Sequence, residues 1–356
     1  MEEKKEVQVT ITLQKIPNEK ASEEEILNVI KMVAPGTNLR TALDGALKSG
    51  KGALIVVENE RLLPLLDGGF RVNCRFTPQR LVELTKMDGA IIISSDLKRI
   101  NYANVLLTPD SRIKSSETGT RHKAAERTAK QIEDLVIAIS ERRHEINIFY
   151  KNVKYNLKPT DELLRKANVQ LSLVEKHREI FDKLIEKLNR LEMRNYLSLS
   201  TALQVIQKGK LIQKITKDLK KHIIELGNEG LHLKTRLKEL TANVENETDL
   251  VIKDYTHLDL KKSKLLLDSL TYDEILEQDN ILRLLAYESK TESLPLKGWR
   301  LLSKTQLEDA EIALLVKEMG SLGKIIHSPS SSYSFLLGEE KASKFKDEIE
   351  RMKFNQ

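Results

Sequence analysis

Cysteine, aromatic residues and long apolar runs are scarce in this chain of 356 residues, and each scarcity excludes a class of protein. The single cysteine, Cys74, cannot form an internal disulfide, which fits a protein of a reducing compartment. No apolar run approaches the ~18 residues that a membrane-spanning helix needs. The first six residues are mostly charged, unlike a signal peptide. We therefore expect a cytoplasmic protein with no membrane partner.

Proline is absent from residues 160–288, and glycine occurs there only at 209, 227 and 230. Apolar residues in this stretch recur at the i, i+3, i+4 spacing of helices, as in Phe181, Leu184, Ile185 and Leu188. The pattern predicts a helical bundle or spine, with breaks near 195–200, 227–230 and 268–271. Thr271 and Glu274 have the spacing of a capping box, which predicts a helix start.

The composition is compatible with long solvated helices, since 31% of the residues are charged and only 4% are aromatic. The chain is long enough for two or three domains, and 40% hydrophobic residues can supply buried cores. The net charge of +6 permits an anionic partner without requiring one.

The first part of the chain alternates helix and strand patterns. Ser22 and Glu25 form a predicted capping box, and apolar strands are predicted at 53–57, 89–94, 103–107, 134–139, 146–150 and 153–157. This pattern indicates an α/β domain with a central sheet flanked by helices. Residues 7–14 alternate apolar and polar side chains, so this extension is either an edge strand or a mobile arm.

One apparent nucleotide motif is rejected. Gly45 to Lys51 has the spacing of a phosphate-binding P-loop, but Gly52 stands where that loop requires serine or threonine. The segment also follows a predicted helix and precedes a predicted strand, which is the reverse of the required order.

The chemically most informative segment is the loop that enters a predicted helix near residue 124. Thr118, Gly119 and Thr120 are small and hydroxyl-rich, and three basic residues follow them: Arg121, His122 and Lys123. A loop entering a helix start offers free backbone N–H groups and partial positive charge, which suits phosphate. A solvated basic turn is the alternative interpretation.

Two motifs taken together resemble the signature of diadenylate cyclase domains. Asp88-Gly89-Ala90 is followed, some thirty residues later, by Gly119-Thr120-Arg121-His122-Lys123. The similarity is dense from about 35 to 156, and its fuller match is to the DNA-integrity scanning diadenylate cyclases, the DisA family. The family usually has arginine at the third position of Arg-His-Arg, where this chain has Lys123. Lysine keeps the charge but loses the planar, bidentate fork.

The resemblance implies four segments. They are an N-terminal extension (1–20), a cyclase domain with a mixed, mostly antiparallel sheet (21–158), a helical spine (159–294) and a helix-hairpin-helix-like module (295–356). In the last segment Gly338 is kept, but Leu336 replaces the partner glycine, and Glu339 and Glu340 stand where DNA phosphate would approach. That segment has ten Lys and Arg against nine Asp and Glu. We therefore expect a degenerate module.

The resemblance also implies a reaction, in which two ATP molecules condense to cyclic di-AMP and two pyrophosphates with Mg²⁺ or Mn²⁺ as cofactor. It implies that Asp88 binds the metal and activates the 3′-hydroxyl, that Arg121 and Lys123 hold phosphates, and that His122 binds phosphate or metal. The remaining implied substrate contacts are Gly89, Ala90 and Leu107 around the nucleoside and Thr120, Ser140 and Arg143 around the triphosphate. Glu141 stands where relatives can carry a basic residue.

The implied partners are a second copy of the chain and DNA. Two protomers face to face, each holding one ATP, suit a two-fold symmetric product, and the family implies an octamer. DNA, including branched DNA, would regulate the enzyme and associate it with the nucleoid. A basic stripe is either a solvated helix face or a phosphate-backbone contact: Lys208, Lys210, Lys214, Lys217, Lys220 and Lys221. The alternative function is a DNA-binding scaffold whose cyclase domain binds nucleotide with little or no turnover.

Overall fold

The structure is a computed structural model that describes residues 21–289 and 295–354. The alternating segment at 7–14 lies outside these residues. The chain divides into two compact units. The first contains the described residues up to Arg165 together with Ile223–Leu231, and the second contains Lys166–His222 and the chain from His232 onward. No helix within the described ranges is long and apolar enough to cross a membrane.

The first unit has eight strands and four helices before residue 160, counted over the described residues. The strands are β1 (Ala53–Val57), β2 (Leu66–Asp67), β3 (Phe70–Arg75), β4 (Ala90–Ile93), β5 (Arg99–Leu107), β6 (Val136–Ser140), β7 (Glu145–Tyr150) and β8 (Val153–Leu157). The helices are α1 (Glu23–Met32), α2 (Asn38–Lys48), α3 (Pro78–Leu84) and α4 (Thr120–Ile132). The predicted capping box at Ser22 and Glu25 is confirmed at the start of α1.

The strands form one sheet in the order β2-β5-β4-β1-β6-β7-β8, with β3 paired to β5. Only β1 and β4 run parallel, and the other pairs are antiparallel. The predicted mixed, mostly antiparallel sheet is therefore confirmed.

Both faces of the central strands are buried, which explains their continuous apolar sequences. One face packs with residues of α1, α2 and α3, among them Val29, Leu43 and Leu81. The other packs with Ala125, Ala129 and Ile132 of α4. The start of α4 consequently lies over the sheet, next to the end of β6.

Two strands were missed by the sequence analysis, β2 and β3. Gly68 and Gly69 indicate a turn, and the two strands around them are short and largely exposed. β2 has only two residues, too few to form a pattern. In β3 the residues Phe70, Val72 and Cys74 do alternate with polar ones, so the period of two that identifies a strand is present in its sequence and was overlooked.

From residue 160 the chain is helical, as predicted. The helices are α5 (Thr160–Met193), α6 (Leu199–Leu226), α7 (Leu231–Thr241), α8 (Val244–Tyr255), α9 (Leu260–Ser269), α10 (Tyr272–Leu276) and α11 (Gln278–Leu284). The predicted break at 227–230 is a short 3₁₀ turn, and the capping box of Thr271 and Glu274 is confirmed.

The predicted lysine stripe on α6 is not continuous. Lys210 is 3% exposed and its ammonium lies 2.6 Å from Asp268 Oδ1. Lys214 donates a 2.5 Å hydrogen bond to the carbonyl of Leu270. Two of the six lysines are therefore used inside the second unit, which weakens the stripe as a surface for nucleic acid.

The C-terminal segment holds α12 (Trp299–Leu302), α13 (Asp309–Met319), α14 (Leu322–His327), α15 (Ser334–Leu337) and α16 (Glu339–Phe354). Gly338 separates α15 from α16 with a φ of +81°, a conformation that favours glycine. Glu339 and Glu340 lie in the first turn of α16, where Glu340 pairs with Lys344 at 2.6 Å. The helix-hairpin-helix interpretation stays a prediction.

Candidate active site

A cavity of about 440 Å³ opens where α4 begins and β6 ends. Two segments of the chain line it, the loop entering α4 and the turn after β6. The lining residues are Glu117, Thr118, Gly119, Thr120, Arg121, His122, Ser140, Glu141, Arg142 and Arg143.

The start of α4 has no side-chain cap. Its N-cap is Gly119, and no side chain accepts a hydrogen bond there. The first backbone N–H groups of a helix have no partner within it, so an uncapped start leaves them available to a ligand. They carry partial positive charge, and anions bind at such positions.

The loop before α4 is held along the helix by side chains of α4 itself. Arg127 donates to the carbonyls of Ile113 and Ser111 at 2.9 and 3.0 Å. Glu126 accepts from the hydroxyl of Ser115 at 2.5 Å and from the backbone N–H of Ser116 at 3.0 Å. These contacts fix the loop that forms one wall of the cavity.

Positive charge at the cavity is in excess. Arg121, Arg142 and Arg143 make no ion pair with any residue that the structure describes. By contrast, the Glu117 carboxylate is paired with the ammonium of Lys154 at 2.5 Å. Guanidinium groups bind phosphate oxygens bidentately, so three unpaired arginines suit a polyphosphate.

Gly52, immediately before β1, makes room for Arg121. A Cβ added at Gly52 would lie 2.0 Å from Nη1 of Arg121 and 3.2 Å from the carbonyl oxygen of Ile139. The side chain of Arg121 therefore passes over Gly52. In the sequence, Gly52 stands out only as the residue that rules out a P-loop.

His122 is half-buried and lies against β7. Its Nε2 is 3.3 Å from Nδ2 of Asn147, and its ring meets that of Phe149 edge to face with centroids 6.4 Å apart. Burial lowers the pKa of His122, and the nearby carboxylate of Glu117 opposes that shift. Burial therefore favours the neutral form of the ring. Asn147 is a second residue that sequence analysis missed.

Asp88 and Gly89 reach the same edge of the sheet. Leu54 pairs with Ala90 on one side and with Ala138 on the other. The start of β4 and the end of β6 therefore lie at the same edge of the sheet, on either side of β1. Asp88 precedes β4 and Ser140 ends β6, so both are at this edge.

The requirement for glycine after Asp88 has a structural reason. Gly89 has a φ of +87°, and a Cβ there would lie 2.8 Å from the carbonyl carbon of Asn104. Only glycine fits such a close approach to β5. Asp88 itself is exposed at the edge of the sheet.

The predicted site residues fall into two groups. The cavity gathers Thr120, Arg121, His122, Ser140 and Arg143, with Glu141 beside them. The remaining predicted residues do not line it: Asp88, Gly89, Ala90, Leu107 and Lys123. The first four belong to β4, β5 or the turn before β4, whereas Lys123 lies in the first turn of α4.

Divalent cations were also predicted. In the described ranges, no three His, Cys, Asp or Glu side chains lie close enough together to hold a metal ion. Mg²⁺ commonly binds through one or two carboxylates together with oxygens of a substrate phosphate. The exposed carboxylate of Asp88 at the same sheet edge as the cavity fits that mode of binding.

Comparison with known proteins decides the family. The model of the DisA bacterial checkpoint controller nucleotide-binding domain matches residues 40–154, and that of the linker region of the same protein matches residues 157–294. The DNA integrity scanning protein DisA of Bacillus subtilis is 39% identical over 342 residues, covering 93% of this chain and 94% of its own. The chain belongs to the DisA family.

Further DisA relatives agree. The protein of Acetivibrio thermocellus is 39% identical over 319 residues, covering 87% of this chain and 89% of its own. That of Clostridium kluyveri is 36% identical over 347 residues, covering 93% and 96%. The DisA cyclase domain makes this chain a diadenylate cyclase, a nucleotidyltransferase that takes a divalent metal. The predicted family, fold class and enzyme class are confirmed.

Proposed function

We propose that this DisA protein condenses two ATP molecules into cyclic di-AMP and two pyrophosphates, with the triphosphate held at the start of α4. The observation that carries the proposal is the cavity's excess of unpaired arginine, next to an uncapped helix start and at the same sheet edge as Asp88. The requirements of phosphoryl transfer are positioning and cationic charge on the phosphates.

In this proposal the two groups of residues hold two parts of ATP. Thr120, Arg121, His122, Ser140 and Arg143 contact the triphosphate, and Lys123 adds charge at the same helix start. Gly89, Ala90 and Leu107 line the place of the nucleoside. Both groups lie at the same edge of the sheet, where β1 separates β4 from β6, so a nucleotide lying along this edge would contact both.

Asp88 is proposed to act on the 3′-hydroxyl. The hydroxyl oxygen attacks the α-phosphorus of the other ATP, the bond from that phosphorus to the pyrophosphate oxygen breaks, and the Asp88 carboxylate takes up the hydroxyl proton. The same step then occurs with the roles of the two nucleotides exchanged. A divalent ion held by Asp88 would neutralise the charge on the phosphates. Of the two roles predicted for His122, phosphate or metal binding, this proposal takes the contact with phosphate.

The product's two-fold symmetry supports a face-to-face pair of protomers, each holding one ATP. A monomer would bind ATP without turning it over. An octamer, as the family resemblance implies, would contain four such pairs.

Product analysis of the purified full-length protein tests the proposal. ATP with Mg²⁺ or Mn²⁺ should give cyclic di-AMP, and Asp88→Asn should abolish turnover while leaving ATP binding unchanged. Asp67→Asn is a matched control, because Asp67 is an exposed residue of β2. Product formation by Asp88→Asn would refute the role of Asp88.

A second candidate function is a nucleotide-binding scaffold with little turnover. Two observations favour it: Lys123 does not line the cavity, and Glu141 adds a carboxylate to the cavity wall. ATP binding by the assembled protein without any cyclic di-AMP would support this function.

Regulation by DNA is part of the proposal, and the C-terminal segment is where it would act. Deleting residues 295–356 would not test it cleanly, because Arg300 in α12 is the buried partner of Glu192 in α5. Replacing Glu339 and Glu340 by lysine is a milder test, since both are exposed. Stronger, salt-dependent binding of branched DNA by this variant is expected; unchanged binding would exclude α16 as a DNA contact.

A further inference from the structure

Asn147 is a buried amide in the middle of an apolar strand. It is 2% exposed, and its neighbours in β7 include Ile146, Ile148 and Phe149. Burying an amide costs free energy unless hydrogen bonds compensate. Among the described residues its side chain makes one hydrogen bond, to Nε2 of His122 at 3.3 Å. The strand itself therefore gives no reason for an amide here.

The two ring nitrogens of His122 face different surroundings. Nε2 is directed to Asn147 in the sheet. Nδ1 is on the side of Gly119, where an added Cβ would lie 3.9 Å from it, and Gly119 lines the cavity. Phe149, two residues after Asn147 on the same face of β7, meets the ring from the side. The ring thus spans the distance between the sheet and the phosphate loop.

We propose that Asn147 is a positioning residue that fixes the orientation and the tautomer of His122, so that Nδ1–H points into the cavity. A neutral imidazole carries its hydrogen on one nitrogen and a lone pair on the other. Because the amide nitrogen of Asn147 donates to Nε2, the hydrogen must be on Nδ1. For the proposed reaction, Nδ1–H would donate to an oxygen of the triphosphate.

A positioning role and a purely structural role of Asn147 predict different effects of leucine at this position on turnover. Leucine has nearly the shape of asparagine and is well suited to an apolar strand. A purely structural Asn147 could be replaced without loss of turnover, and an apolar replacement relieves the cost of burying an amide. A positioning Asn147 could not be replaced in this way.

The first test is the steady-state kinetics of Asn147→Leu in the full-length protein. We expect kcat and kcat/KM to fall together by about 10–100-fold, a loss of the size found when the hydrogen-bond partner of a metal-ligating histidine is removed. The thermal unfolding temperature should be unchanged or higher. Asn156→Leu is the control, since Asn156 pairs directly with Asn147 on β8 and is exposed. Full activity of Asn147→Leu would overturn the proposal.

The second test reads the tautomer directly and does not need turnover. Solid-state NMR of protein with ¹⁵N-labelled histidine rings, with the His122 signals assigned from His122→Asn, should show hydrogen on Nδ1 in the wild type. In Asn147→Asp the side chain at this position can only accept a hydrogen bond, so the hydrogen of the His122 ring should be on Nε2. This variant also provides the test if Asn147→Leu does not fold. Hydrogen on Nε2 in the wild type would overturn the proposal.

The two tests separate this inference from the proposed function on which its kinetic part rests. If the wild type makes no cyclic di-AMP, the proposed function fails, and the ring signals still decide whether Asn147 sets the tautomer. If the wild type is active and its ring carries hydrogen on Nε2, the function stands and this inference fails.

Discussion

Two clusters of arginine and carboxylate residues, one in each unit, use the same chemistry in opposite ways. The cavity at the start of α4 holds Arg121, Arg142 and Arg143, which make no ion pairs with described residues. The second unit buries Arg300 completely and pairs its guanidinium with the carboxylate of Glu192. The two clusters differ in whether the guanidinium groups already form ion pairs within the protein.

In the second unit, the guanidinium of Arg300 pairs with Glu192 and hydrogen-bonds to Asn189. Asp254 accepts the backbone N–H groups of Trp299 and Arg300 at 2.8 and 2.9 Å, and so anchors the start of α12. Burial raises the pKa of Asp254 to about 7, and the nearby Glu192 adds to the shift. The guanidinium of Arg300 and the carboxylate of Glu192 are bound to each other, and the carboxylate of Asp254 is bound to backbone N–H groups, so the cluster is structural.

At the cavity, charge is instead kept available. Glu117 is paired with Lys154 rather than with an arginine of the cavity, and the helix start has no cap. An unpaired cation in solvent has little cost, whereas an unpaired buried one has a large cost. The comparison teaches that pairing and burial, rather than residue type, separate a binding site from a structural cluster.

The largest expected effect comes from breaking the buried cluster. Arg300→Met leaves Glu192 buried without its partner, which should cost about 3–5 kcal/mol in the free energy of unfolding of the second unit. Urea unfolding followed by circular dichroism measures it. The double variant Arg300→Met/Glu192→Leu should recover most of the loss, because it leaves no unpaired charge at that contact; an equal loss in the double variant would contradict this account.

Replacing an arginine of the cavity by methionine should lower activity and leave the stability of the protein almost unchanged. Arg121→Met is expected to lower kcat/KM by about 10²-fold, as for the loss of one charge-stabilising donor, with a change in unfolding free energy within about 0.5 kcal/mol. Arg75→Met is the control, because Arg75 is an exposed residue of β3. A large loss of stability in Arg121→Met would mean that Arg121 is a structural residue after all.

Much of this comparison could be predicted from the sequence. The residues Thr118–Lys123 alone predict a basic turn, because a hydroxyl-rich loop before a helix is a local pattern. The sequence also predicts the central strands: both their faces are buried, so their sequences are continuously apolar. Only the family resemblance predicts Ser140 and Arg143 as site residues.

What could not be predicted depends on contacts between distant parts of the chain. Asn147 is 25 residues from His122, and its polarity in an apolar strand was the only available signal. The burial of Lys210 against Asp268 joins residues that are 58 apart, so the lysines of α6 look like one stripe in the sequence. Gly52 resembles a loop glycine until the position of Arg121 is known.

Gly52→Ala should have the smallest effect of the three, and it tests whether Arg121 is held in place. The new methyl group would meet Nη1 of Arg121, which is the end of a flexible side chain, so the guanidinium can move without unfolding β1. We expect kcat/KM to fall about tenfold, less than the ~10²-fold that a misplacement of 1 Å can cost. A double-mutant cycle with Arg121→Met measures the coupling. If Gly52 acts through Arg121, Gly52→Ala should have almost no further effect in the Arg121→Met background; an undiminished tenfold loss would show that Gly52 contributes to the site by another route.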